Sequence, residues 1–172
     1  MEIARHWRLR HERLQMVGEI CRNEGCEKKI FPPRDICPYC NQPANIEQKF
    51  SGRGTVYSYA VVSDNPQAGF EKYVPYVVAL IDLEEGPRVT AQLTDLETRW
   101  VSKMVDGEER EVMEYEVQIG MPVEMVTRKL SEDGDKGLIN YAYKFRPPIR
   151  AFTESEQGLV FKAQEVEVPV SY

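Results

Sequence analysis

The residues of this chain best placed to do chemistry together are its four cysteines. They stand as Cys21-x4-Cys26-x10-Cys37-x2-Cys40, two short pairs divided by a loop. Thiolates are soft ligands, and two short Cys loops facing each other supply the tetrahedron of sulfurs that zinc prefers. Gly25 permits a tight turn in the first pair and Pro38 stiffens the second. The competing readings are disulfides or scattered free thiols. The opening residues, Met1-Glu2-Ile3-Ala4-Arg5-His6-Trp7, lack the apolar stretch of a secretory signal. A cytoplasmic, reducing compartment is therefore expected, where paired cysteines bind metal more often than each other. The expected zinc ligands are Cys21, Cys26, Cys37 and Cys40. Four thiolates close the coordination sphere and leave no place for an activated water, so the ion would be structural. A redox role for Cys37-Pro38-Tyr39-Cys40 would need a βαβ context that is missing here.

No other group of residues makes a catalytic pattern. His6 and His11 are the only histidines, and a spacing of five does not stack them on one helical face. No histidine is left for a Ser-His-Asp or Cys-His arrangement. Gly52-Arg53-Gly54 lacks the rest of a dinucleotide or P-loop pattern, so its glycines are expected to ease entry into a strand. No catalytic residue is expected.

These groups sit in 172 residues of ordinary globular composition, 42% hydrophobic and 29% charged. The 22 Lys and Arg against 28 Asp and Glu leave a net charge of −6. A chain that binds nucleic acid through its overall field is normally basic, so that role would need a local patch. Residues 1–34 do hold eight Lys/Arg against five Glu, but a solvated helix face is the commoner reason for such a surplus. The longest apolar run, Val77-Val78-Ala79-Leu80-Ile81, is far short of the roughly 18 residues of a membrane helix.

The elements that must position the cysteines follow from pattern. Ile3, Trp7, Leu14 and Val17 share one stripe at helical spacing, which predicts an amphipathic helix over 2–17 stopped by Gly18. Residues 19–48 hold all four cysteines, four prolines and few aliphatics, so they need a staple in place of a core. From Phe50 onward the pattern is β, with strands expected over 54–62, 73–83, 88–93, 123–130 and 138–145. Breakers part them: Asp64-Asn65-Pro66, Glu84-Glu85-Gly86-Pro87, Gly120-Met121-Pro122 and Asp133-Gly134. Five such strands suit a small closed barrel of the oligonucleotide/oligosaccharide-binding (OB) type. Asp106-Gly107, between Trp100–Val105 and Val112–Val117, predicts an inserted hairpin over 99–118 with Glu108, Glu109 and Glu111 at its tip. The fold class is mainly β, organised as a helix and ribbon (1–48), a barrel (49–148) and a tail (149–172). Val166, Val168 and Val170 in the tail would suit an edge strand or a segment docked on a partner.

The order of these motifs resembles a known family. Trp7…Arg13-Leu14…Val17-Gly18…Cys21…Cys26…Phe31-Pro32-Pro33-Arg34…Cys37-Pro38…Cys40 is similar to the zinc-ribbon/OB-fold proteins called domain of unknown function 35. Gly52-x-Gly54-x-Val56-x-Ser58-Tyr59, Pro75-Tyr76-Val77-Val78-Ala79-Leu80-Ile81-Asp82-Leu83, Gly120-Met121-Pro122-Val123 and Tyr143-Lys144-Phe145-Arg146-Pro147 continue the resemblance to about residue 148. It implies a rubredoxin-like ribbon, an OB barrel, and a non-catalytic companion of thiolase-superfamily enzymes. In archaea such proteins resemble the scaffold between an acetoacetyl-CoA thiolase and a hydroxymethylglutaryl-CoA (HMG-CoA) synthase. The wide first cysteine loop, the insertion and the tail depart from the family pattern.

The resemblance also implies that the chain holds CoA or acyl-CoA. Phosphates need cations, and adenine and pantetheine need an apolar lining. The candidates are Lys28, Lys29, Arg34, Arg53 and Tyr57. Lys49, Arg128, Lys129, Lys144 and Arg146 are further cations, and Phe31, Tyr59 and Tyr76 further aromatics. For each of them a solvated charge or a core ring is the plainer role. The alternative function is single-stranded nucleic-acid binding, which ribbons and OB barrels both serve. The acidic total and the Glu-rich hairpin speak against it. An acyl-CoA hydrolase or transferase would need a nucleophile–base pair that is not evident.

Overall fold

The computed structural model describes residues 3–66, 70–105, 108–133, 138–149, 151–155 and 158–162. Two short helices open it, α1 (Ile3–Arg8) and α2 (Arg10–Gln15). The single helix expected over 2–17 is therefore corrected. Leu9 has non-helical dihedrals, and Met16 takes the left-handed conformation at φ 51°, closing α2 with its N–H on Glu12. Val17 and Gly18 are already strand. Trp7 and Leu14 of the predicted stripe are 67% and 40% exposed, so that stripe is not a core face. Local helical spacing lost here to long-range pairing, which gives the backbone of 17–20 two strand partners.

The ribbon lobe is built from β1 (Val17–Ile20), β2 (Lys29–Ile30), β3 (Asp35–Ile36), β4 (Pro43–Ala44) and β5 (Ile46–Lys49). β1 lies between β2 and β5, both antiparallel, with Glu19 opposite Ile30 and Glu47. β3 and β4 form a separate pair. Gly18 is not a helix stop but a point of close approach: a Cβ there would stand 2.3 Å from the Ile30 carbonyl oxygen and 2.6 Å from the Phe50 ring.

The barrel comprises β6 (Arg53–Val62), β7 (Tyr76–Leu83), β8 (Arg88–Leu93), β11 (Pro122–Asp133) and β12 (Leu138–Arg146). The expected five strands are all present, with a 3-10 turn at Glu71–Tyr73 occupying the start of the second predicted one. The barrel closes in the order β11-β12-β8-β7-β6. Its last strand thus lies between the third and the fourth and meets the third in parallel, which is OB topology. Burial alternates along β7, whose Val77, Ala79, Ile81 and Leu83 point inward beside Val56, Val89, Val123 and Phe145.

Between β8 and β11 rises the hairpin β9 (Thr98–Val105) and β10 (Glu108–Tyr115), paired in register from Val105 opposite Glu108 to Thr98 opposite Tyr115. Its turn, Asp106-Gly107, lies outside the described residues, while Glu109 and Glu111 are exposed at the tip. Beyond the barrel, β13 (Ala151–Ser155) and β14 (Gly158–Lys162) pair with each other. Gly134 and the valines at 166, 168 and 170 also lie outside the described residues. No helix among the described residues is long and apolar enough to cross a membrane.

Ribbon and barrel share one core. Met16 and Phe50 belong to the barrel's buried cluster, and Phe31 packs edge-on against Phe50 and Tyr143, each at 5.8 Å between centroids.

Candidate functional site

The first cysteine loop turns on Asn23, whose side-chain oxygen accepts the Gly25 N–H at 3.1 Å and whose carbonyl accepts the N–H groups of Cys26 and Glu27. The two extra residues of this loop are thus absorbed in a hydrogen-bonded turn. The second loop closes when the Cys37 carbonyl accepts the Asn41 N–H and the Cys37 N–H reaches Gln42. Arg22 N–H on the Pro43 carbonyl ties the two loops together.

These turns bring all four Sγ atoms within 4.8 Å of one another, with Cys21 and Cys40 at 3.4 Å and Cys26 and Cys37 at 3.8 Å. Sulfurs about 2.3 Å from a central ion in a tetrahedron stand about 3.8 Å apart. The cage therefore fits a metal ion such as zinc. Among the described residues its other buried neighbours are Ile30 and Ala44, so the thiols are themselves most of the ribbon's core. Without a cation they ionise unequally: burial pushes Cys21 up to about 12, while the backbone N–H of Gln42 holds Cys40 down to about 7. A dication at the centre removes that conflict by stabilising all four thiolates.

Glu19 is a residue that sequence patterns did not single out. It is buried on β1, and its carboxylate accepts the backbone N–H groups of Arg34 and Asp35 at 2.8 and 2.9 Å. This anchors the segment that leads into Cys37. A lone acid in sequence reads as solvent-facing, and only the loop folding back onto it reveals the role.

Two of the candidate cations come together at a groove of about 670 Å³ between ribbon and barrel. Lys28 and Lys29 line it with Glu27, Tyr39, Asp82, Glu85 and Arg88. Tyr57 stands beside this set, its ring 3.4 Å beneath the Arg88 guanidinium, which also pairs with Asp82. Arg88 is the cation that sequence reasoning missed; nothing in its local sequence marks it apart from other strand-borne arginines. Arg34 and Arg53 are exposed and do not line the groove. Arg128 pairs with Asp95 in the connection after β8 and Arg146 with Glu124 of β11, and Lys144 sits 5.9 Å over the Tyr73 ring. Phe31 is a packing residue. Tyr59 lies in a separate cleft under the hairpin, and Tyr76 stacks near Phe70. His6 meets Arg13 at 2.7 Å rather than standing free.

An OB barrel with a four-thiol ribbon sharing its core defines a class of two-lobed β proteins. A family model described as the ChsH2 C-terminal OB-fold domain matches residues 47–128. A DUF35 domain-containing scaffold protein of Pyrococcus furiosus is 44% identical over 152 residues, covering 88% of this chain and 96% of the relative. One of the same description from Methanocaldococcus jannaschii is 42% identical, covering 84% and 90%. The chain belongs to the DUF35 family. A solved Ltp2-ChsH2(DUF35) aldolase shares 29% identity at a TM-score of 0.51, over 84% of this chain and 92% of that one. A probable enoyl-CoA hydratase alpha subunit of Thermomonospora curvata is 38% identical, but over only 45% of this chain and 24% of its own length.

Proposed function

We propose that this protein is a non-catalytic scaffold subunit that holds CoA or acyl-CoA within a thiolase-superfamily assembly of the acetoacetyl-CoA thiolase/HMG-CoA synthase type. The observation that carries the reading is similarity over nearly the whole length to relatives named as scaffold proteins. Its mechanism is positional. A bound thioester kept within the assembly meets the next active site at raised effective concentration, with no new chemistry. Zinc is the ion proposed for Cys21, Cys26, Cys37 and Cys40, where it would hold the two cysteine loops of the ribbon together. The groove of Lys28, Lys29 and Arg88 supports the CoA part of the reading, since its cations suit phosphates and Tyr39 suits an adenine or pantetheine wall, with Tyr57 backing the Arg88 guanidinium.

Co-expression with a thiolase and an HMG-CoA synthase from the same source tests the proposal. Co-elution of the three, with no thioester turnover by the chain alone, is expected. A chain that stays apart from both enzymes, or that turns over acyl-CoA through many cycles by itself, would overturn it. Calorimetry with CoA tests the groove: Lys28→Glu with Lys29→Glu should weaken binding at least about tenfold, the loss of two charge-assisted contacts.

A further inference from the structure

The barrel does not close evenly. β8 and β12 meet in parallel at one register point, Leu93 opposite Phe145. Away from that point a cleft of about 310 Å³ lies over the seam. This is the low end of the roughly 300–1,000 Å³ typical of small-molecule sites. It is lined by β7 and β8 on one side and by Leu130 of β11 and Ala142 and Tyr143 of β12 on the other, and it shares no lining residue with the ribbon groove.

Its lining has a consistent chemistry. The rings of Phe70 and Tyr76, 5.8 Å apart between centroids, give it an aromatic side. Thr90 and Gln92 lie two residues apart on β8, so they share the outer face and present a hydroxyl and a primary amide along one edge. Gln92 stands opposite Val78, which continues the apolar side. Arg13 of α2 also lines the cleft, with a guanidinium nitrogen 2.7 Å from His6 Nδ1. Burial and the neighbouring Arg13 both hold His6 below its ordinary pKa, so at neutral pH it is an uncharged partner for that guanidinium.

An aromatic side takes a base by stacking, a primary amide can pair bidentately with an adenine edge, and a guanidinium takes a phosphate. The size limits the ligand: about 310 Å³ suits one nucleotide rather than a strand of them. The net charge of −6 offers no field for a long phosphate backbone. We infer that this cleft binds a single purine nucleotide, with the base against Phe70 and Tyr76, its edge on Gln92 and Thr90, and its phosphate on Arg13. The inference does not depend on the acyl-CoA reading.

Isothermal titration of the zinc-loaded full chain with AMP, ribose phosphate and adenine oligonucleotides of rising length tests it. AMP should saturate, and ribose phosphate should bind at least about tenfold more weakly for want of a stacked base. Tyr76→Ala and Gln92→Leu should each weaken AMP about tenfold. If Tyr76→Ala loses the β signal of the wild type, Gln92→Leu and Thr90→Val decide the matter from the outer face of β8. No saturable AMP binding at millimolar ligand, equal binding of ribose phosphate, indifference to Gln92→Leu, or affinity that climbs with oligonucleotide length would each overturn it. AMP binding without any CoA binding would uphold this site and sink the CoA part of the scaffold reading. CoA binding that ignores Gln92→Leu but falls with Lys28→Glu would place CoA at the ribbon groove alone.

Discussion

At the scale of single residues, the ribbon depends on a few groups whose loss is not shared out. Cys37 is fully buried and closes the second cysteine loop through its own N–H and carbonyl. Cys37→Ser should release the ion and unfold residues 19–48 while the barrel's β signal remains. Metal analysis after dialysis, with circular dichroism, checks this; intact metal stoichiometry would contradict the ligand assignment. Structural zinc contributes on the order of 10 kcal/mol to the folding of such small lobes, so no partial effect is expected. Glu19 acts on the same lobe at a distance from the sulfurs. Removing its carboxylate in Glu19→Ala leaves the Arg34 and Asp35 N–H groups without their acceptor, a loss of about 1–3 kcal/mol. The variant should keep its metal but surrender it faster to a chelator, as read by a colorimetric zinc indicator.

At the scale of elements, close approach and turn chemistry decide what the pattern alone leaves open. Gly18→Ala pushes a methyl group into the Ile30 carbonyl and the Phe50 ring, so β1 must move off β2. Overpacking of this kind costs about 1–3 kcal/mol, and a thermal melt should show it; a neutral result would contradict the close approach of Gly18 to Ile30 and Phe50. The turn between β7 and β8 is tied to the ribbon–barrel link by the Ser51 N–H donating to the Glu85 carboxylate. Burial penalises that carboxylate, but the Ser51 backbone and hydroxyl more than offset it, so its pKa lies below the ordinary glutamate value. A lowered folded-state pKa gives stability that is complete above the unfolded pKa and is lost as pH falls through the folded one. Glu85→Gln should therefore lower Tm at neutral pH, and its difference from the wild type should vanish in acid. The hairpin's Arg99 and Lys103 pairs with Glu114 are exposed and should contribute little by comparison.

At the scale of the whole molecule, ribbon and barrel are mechanically one object because Phe31 and Met16 from the ribbon side enter the barrel's packing. Phe31→Ala should cost about 2–4 kcal/mol, somewhat less than a fully buried ring, and should lower the barrel's Tm even with metal bound. Chelating the ion from the wild type should lower it as well, since Phe31 then loses the strand it hangs from. A barrel Tm indifferent to both would show the lobes to be independent.

Much of this was legible in the chain because the informative interactions are local. The cysteine spacing names its own chemistry, since a ligand loop is closed by the few residues inside it. The barrel strands announced themselves through alternation and breakers, and the hairpin through matched flanks of Asp106-Gly107. The spacing over 2–17 does predict helix, but the break at Leu9, the left-handed Met16 and the departure of Val17 into a strand paired with Lys49 depend on contacts beyond it. Glu19, Arg88 and the seam cleft depend on segments far apart in sequence. Spacing carries no record of which loop will fold back onto a carboxylate, or which strand ends will splay, because those depend on three-dimensional packing summed over the whole core.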